Sequence, residues 1–224
     1  MTIDLTSYRS ISNLTTWLVR FSIIGIILSI VSMAAVIYGM VMDTSNDSSN
    51  KITNDSSNNT YGFIDTFPLI ILIPIIIITL IWYHRATKNI HSFGAKEVTS
   101  PTMAVVWWFI PIANLWKPYK LTQQIWKASI PETKLLNGTE WKNMPTSNIV
   151  KLWWVLMLVS VFGSFSAPYL LYPIDPNESE ETRQAILLES IITIPFLIIA
   201  IVSTISFIHI IRQISTWQYQ KSLS

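Results

Sequence analysis

The side chains able to do chemistry in this sequence are few, and most fall in or beside one stretch. Ser100–Trp126 reads SPTMAVVWWFIPIANLWKPYKLTQQIW. It holds Trp107, Trp108, Trp116 and Trp126, a central amide at Asn114, and the bases Lys117 and Lys120, with Lys127 just beyond. A primary amide both donates and accepts, so Asn114 can satisfy a backbone carbonyl or hold the polar group of a ligand. Indole rings can wall a ligand, but anchoring at a membrane surface is their commoner use among apolar segments. Lysines on an amphipathic continuation suit the phosphates of anionic lipid.

Other candidates are sparse. His84 and His91 are seven residues apart and would share a helix face, and His209 is the only further histidine. Metal or haem ligation needs more ligands than these, so interfacial solvation is the simpler reading and no metal or cofactor is assigned. Glu189 is the one acid expected inside an apolar helix. It either handles a proton or cation or reaches nearby headgroups. There is no cysteine, hence no disulfide, thiolate site or cysteine nucleophile. No HExxH, GxSxG or phosphate-binding glycine loop occurs, so no enzymatic activity is expected. The basic stretches are too interrupted by apolar residues to suit nucleic acid.

The elements that must position these residues are apolar and long. The chain has 224 residues, 50 % hydrophobic and only 12 % charged. Four apolar runs are each long enough to cross a bilayer. The expected fold is an all-α membrane protein: a four-span helical bundle with a re-entrant or interfacial helix pair between spans two and three. Residues 1–224 form a single domain, with spans at about 18–42, 67–88, 150–173 and 185–212. The interfacial segment covers 101–129, and a flexible, non-cytoplasmic loop rich in Ser, Asn and Asp covers 43–66. Trp17–Met42 is too long for a signal peptide and lacks a well-placed cleavage site, so it is expected to be retained.

Local signals refine this frame. Gly25, Ser29 and Ser32 on span one, and Ser160, Gly163, Ser164 and Ala167 on span three, form small-residue faces suited to close helix approach. Pro74 is expected to kink span two. Gly94 marks the stop of that helix, Ser100-Pro101 the start of the next, and Asp175-Pro176-Asn177-Glu178 the start of the last. In a continuous helix Pro111 and Pro118 would free the carbonyls of Trp107 and Asn114 on one face. Lipid cannot satisfy such carbonyls, so that face needs protein, water or a ligand. Beyond Pro118 the pattern is amphipathic, with Leu121, Ile125 and Trp126 opposite Lys120, Gln123, Gln124 and Lys127.

Charge orients the bundle. Arg85, Lys88, Lys96, Lys117, Lys120, Lys127, Lys134 and Lys142 lie between spans two and three, whereas the flanking loops hold one base each, Lys51 and Arg183. The positive-inside rule places both termini and the middle connection in the cytoplasm. It also argues against a full crossing by Met103–Trp116.

Two stretches resemble one family. WYHRATKNIHSFGA (Trp82–Ala95) is similar to its aromatic-basic segment ending in glycine. The Trp-Trp-Phe, Pro-Ile-Ala-Asn and basic-Pro elements of Ser100–Trp126, followed by the pair Trp153-Trp154, resemble its signature. This is the domain-of-unknown-function group 4328, found mainly in bacterial multipass membrane proteins. The resemblance covers roughly Ile71–Ile211. It implies a membrane location, in a bacterial inner (plasma) membrane, and no established activity or catalytic residues.

The expected function is to organise lipid, anionic lipid in particular, or a protein partner at the cytoplasmic leaflet. The candidate binding residues are Trp107, Trp108, Asn114, Trp116, Lys117, Lys120 and Lys127. The alternative is a small oligomeric transporter or channel subunit with a polar path near Asn114 and Glu189.

Overall fold

A computed structural model describes residues 8–45, 54–133, 137–171 and 179–223. The chain forms α1 (Ser12–Ser45), α2 (Asn54–Ser92), α3 (Pro101–Val106), α4 (Pro111–Asn114), α5 (Lys117–Ser129), a short 3-10 turn at Glu140–Asn143, α6 (Asn148–Leu171) and α7 (Ser179–Leu223). No strand occurs among the described residues. The most extensive pairing is α6 with α7, and α1 lies against both α2 and α7.

Among the described residues three helices are long and apolar enough to cross a membrane: Ser12–Ala34, Ile71–Ser92 and Ile194–Leu223. The expectation was four. Among the described residues α6 (Asn148–Leu171) contributes only a shorter apolar stretch, Asn148–Gly163. A second difference concerns the polar loop expected at 43–66. The helix α1 runs on to Ser45 and α2 already begins at Asn54. Once a long apolar helix exists, each further turn costs little, so weak helix formers at its end are carried along. The helix α2 likewise continues through Pro74, and α7 through Pro195. The start signal at Asp175–Glu178 lies outside the described residues.

Other local signals act as their chemistry requires. At the end of α2 the amide of Gly94 bonds the His91 carbonyl at 2.9 Å and the amide of Ala95 bonds the Ile90 carbonyl at 3.0 Å. Gly94 has φ +92°. This is a Schellman stop, with its usual apolar contact supplied by buried Ala95 and Ile90. Ser100 caps α3 through its hydroxyl, which accepts from the Met103 amide at 3.3 Å, with Pro101 following. Gly163 meets the ring of Phe196 so closely that an added Cβ would collide with it, the close approach expected of that small-residue face.

The prolines of the central stretch do something different from kinking one helix. Pro111 and Pro118 each open a new helix, α4 and α5, where a missing amide is harmless. The segment 101–129 is therefore three short helices rather than a helix pair, and it folds back over one end of the bundle. There α3 lies against α2, and α5 lies against α2, α6 and α7.

The packed core sits at that same end. Trp82, Tyr83, Ile90 and Phe93 of α2, Leu18 of α1, Ile210, Ile211 and Ile214 of α7, and Leu121 and Ile125 of α5 are almost wholly buried. Away from it the helices turn large apolar side chains outward, among them Ile23, Ile27 and Ile30 on α1, Ile73 and Ile77 on α2, and Ile198 and Ile205 on α7. So extended an exposed apolar surface marks contact with membrane or partner.

The covering layer is closed by a tight crossing of two turns. The amide of Lys96 bonds the Gly138 carbonyl at 2.7 Å, and the Trp141 indole bonds the Lys96 carbonyl at 2.9 Å. The Glu140 carboxylate accepts from the amides of Asn137 and Gly138, and the Asn137 amide is the chief reason its carboxyl is held below the usual carboxylate range. Lys142 and Glu97 add an exposed ion pair, worth little in water. Gly138 has φ +91°, and a Cβ there would lie 2.6 Å from the backbone oxygen of Gly94. Gly138→Ala is expected to destabilise the fold by about 1–3 kcal/mol, read as a lower midpoint of thermal unfolding in detergent.

Candidate functional site

The tryptophans of the central stretch divide into two sets. Trp108 turns inward. Its ring lies 5.4 Å from Tyr83 and 6.3 Å from Trp154, and the series continues from Trp82 on Tyr83 at 5.2 Å to Trp153 on Trp154 at 5.4 Å and Phe207 on Trp153 at 5.2 Å. Tilted and edge-on contacts like these are each worth about 0.5–1.5 kcal/mol beyond burial. The series joins α2, the turn after α3, α6 and α7. The Trp82 indole also donates to Thr15 at 3.0 Å, which brings in α1. The Trp108 indole nitrogen is enclosed without a hydrogen-bond partner among the described residues.

Trp116 and most of the turn before it face outward, and Trp107 is half-buried beside them. Phe109 is 68 % exposed, Ile112 71 % and Trp116 41 %. Lys117 sets its ammonium 4.4 Å from the centre of the Trp107 ring, a cation–π contact. Lys120 is exposed and Lys127 half-buried. Trp126, on the far side of α5, packs edge-on against Trp217 at 4.7 Å. The proposed binding residues are thus split: Trp108 belongs to the core, while Trp107, Trp116, Lys117 and Lys120 lie on an accessible rim.

Asn114 is half-buried as the last residue of α4, and its side chain makes no hydrogen bond among the described residues. The loop carbonyl that does receive a partner is that of Leu115, which accepts from the Trp154 indole at 3.0 Å. The expected pair, Trp107 and Asn114, assumed one continuous helix. Because α4 and α5 are separate, the carbonyl needing a donor moves to the junction.

The polar face expected on α5 also needs correction. Gln123 is buried, and its amide pairs twice with Ser147, donating to the carbonyl at 2.8 Å and accepting from the amide at 3.0 Å. Gln124 accepts from the amide and hydroxyl of Thr99. Both amides hold connecting segments in place, so α5 is packed on two sides and only partly an interfacial surface. Tyr83 and Thr122 share a buried hydrogen bond of 2.8 Å beneath it.

The histidines do not converge. His91 contacts the Thr99 carbonyl at 3.1 Å, His84 is half-buried and His209 exposed. No group of three or more metal-ligating side chains occurs among the described residues. Glu189 lies on α7, but its side chain falls outside the described residues.

One polar cluster escaped sequence reasoning. Asn89 bonds the amide and carbonyl of Arg9 at 3.1 and 2.9 Å and the side chain of Gln218 at 2.8 Å. Gln218 in turn donates to the Ala86 carbonyl and to Ser129, each at 3.1 Å. Lys221 donates to the carbonyls of Ala128 and Thr133 at 2.9 Å and of Ile130 at 3.2 Å, closing the end of α5. A signal was present: Ile211, Ile214, Gln218 and Lys221 follow a 3-4-3 spacing that extends the buried face of α7 to the end of the chain.

The Trp154 indole bond tests what positions the exposed turn. Trp154→Phe keeps a ring in the aromatic series and removes the donor to Leu115. It should cost about 1–3 kcal/mol for the carbonyl left unpaired, with faster hydrogen exchange confined to residues 109–116.

Neither the curated proteins nor the solved structures offer a match to this chain. A family model described as "Domain of unknown function (DUF4328)" matches residues 46–216. The match takes in the aromatic series, the three short helices and both turns that close them, and it begins within the polar connection after α1. With so much of its length covered, the chain belongs to the DUF4328 family, whose function is unknown.

Proposed function

We propose that this protein is a multipass membrane protein that organises lipid at the cytoplasmic leaflet through the rim formed by Trp107, Trp116, Lys117 and Lys120. The observation that carries this reading is the juxtaposition at the α4–α5 junction. Exposed Phe109, Ile112 and Trp116 stand directly beside exposed or half-buried lysines. Apolar side chains at that density favour the acyl boundary, while the ammonium groups favour lipid phosphates. The firm packing of α5 and the Trp154–Leu115 bond support the rim from behind, so it is presented on a rigid base. In this reading α1, α2 and α7 cross the bilayer, α6 crosses with them over the full 24 residues of Asn148–Leu171, and α3 to α5 lie at its cytoplasmic surface. The excess of Lys and Arg between α2 and α6 supports that orientation. A transporter path near Asn114 and Glu189 has no observation of its own in its favour.

Replacing Lys117, Lys120 and Lys127 together with Gln should reduce anionic lipid co-purified with the protein, at about 1 kcal/mol per lost charge; unchanged anionic lipid content would refute the reading. Orientation can be checked cleanly because the native chain has no cysteine. A membrane-impermeant maleimide should label Lys142→Cys in inverted vesicles and leave it unlabelled in intact cells.

A further inference from the structure

A cavity of about 630 Å³ lies between α1, α2, α6 and α7, with Trp108 and Phe109 also in its lining. Its volume falls in the range of roughly 300–1,000 Å³ typical of ligand sites. It is elongated: its lining runs from Ser22 to Ser29 on α1 and from Ile71 to Leu80 on α2, about 10 and 14 Å along the bundle at ~1.5 Å per residue.

The two ends differ. Near the packed core stand Trp108, Trp153 and Phe207, with the hydroxyls of Ser22 and Thr79. Farther along the walls are aliphatic, formed by Leu28, Ile71, Leu72 and Met157. Among the described residues no Asp, Glu, Lys, Arg or His lines the cavity, so it suits an uncharged occupant.

The hydroxyls carry the inference further. A helical Ser or Thr in apolar surroundings ordinarily bonds a carbonyl one turn back. Ser29 does so to Gly25 at 2.9 Å and Thr204 to Ala200 at 2.8 Å, while Ser203 reaches the Trp153 carbonyl at 3.3 Å. Ser22 is only 4 % exposed, yet neither it nor Thr79 has a hydrogen-bond partner among the described residues. Beside them, a Cβ added at Gly25 would meet nothing within 4 Å. Two uncommitted hydroxyls thus sit at the polar end of an open apolar slot.

We propose that this cavity holds one acyl chain of a membrane lipid. The ester carbonyl accepts from the hydroxyls of Ser22 and Thr79, and the chain lies past Gly25 towards Leu28 and Leu72. Leu72 and Ile76 line the cavity and are also outwardly exposed, which gives a chain entry from the surrounding lipid. The proposal deepens the lipid-organising reading and rests on it for the bilayer placement of α1 and α2. It does not need the rim lysines.

The test uses the full chain in phosphatidylcholine vesicles that carry a mid-chain diazirine on the acyl group. Photolysis should give adducts on the inward, cavity-lining Ile26, Leu28, Ile75 and Leu80. Gly25→Phe, which fills the slot, should abolish them while leaving the thermal midpoint unchanged or raised. Ser22→Leu is the second variant should the first fail to fold, with the same loss expected. Adducts equally abundant in the filled variants, or confined to the outward Ile23, Ile27 and Ile30, would overturn the proposal. So would a free neutral ring compound recovered from the purified protein in place of lipid. If the slot adducts are absent but the lysine variants still lose anionic lipid, only the cavity proposal falls. If no part of the chain is labelled, the membrane reading falls with it.

Discussion

Everything in this molecule leans on the packed series of rings from Trp82 through Tyr83, Trp108, Trp154 and Trp153 to Phe207. Its members come from α2, the turn after α3, α6 and α7, and the Trp82 indole reaches α1. Helices surrounded by lipid gain little hydrophobic drive toward one another, so their association depends on close packing and on polar groups that find partners. Large flat rings supply the packing, and their indole donors supply two of the partners. The same series sets the site. Because Trp154 holds the Leu115 carbonyl, the Phe109–Trp116 turn stands on the core with its apolar side chains outward.

Polar groups then decide how the ends of the chain are tied down. Asn89 uses its amide as both donor and acceptor to hold the backbone of Arg9 and the side chain of Gln218. Gln218 and Lys221 fasten the end of α7 to the end of α5. Such groups are costly to bury unpaired and specific once paired, so they define one arrangement among many similar apolar packings. The result is a bundle with a firm end, where α1, α2, α5 and α7 meet, and an end whose apolar faces are left for another medium. The cavity lies at the boundary between these regimes, where the ring series stops and the aliphatic walls begin.

Several features were legible because they depend on neighbours in sequence. The Gly94 stop, the Ser100 cap and the close approach at Gly163 follow from single residues whose backbone or size leaves few options. The family membership was legible too, in the Trp-Trp-Phe and Pro-Ile-Ala-Asn elements. Other expectations failed where two outcomes share one local signal. A proline within an apolar run can kink a helix or begin one, and Pro111 and Pro118 begin them. A glutamine beside lysines can face water or a backbone, and Gln123 faces Ser147. The polar connection after α1 was read from composition as a flexible loop over its whole length, yet α2 already starts at Asn54.

By itself, then, the sequence determined that the chain is helical, that long apolar helices dominate it, and that one Trp- and Pro-rich stretch stands apart. Hydrophobic run length, glycine and proline geometry, and cap chemistry act over a few residues and need no fold to be read. Only the tertiary structure decided which tryptophans form the core and which the rim, which carbonyl needs a donor, and which amides lie buried. It also decided that Ser22 and Thr79 line one cavity. Each of these depends on residues tens of positions apart meeting in space, and hydrogen-bond partners at that range leave no trace in local spacing.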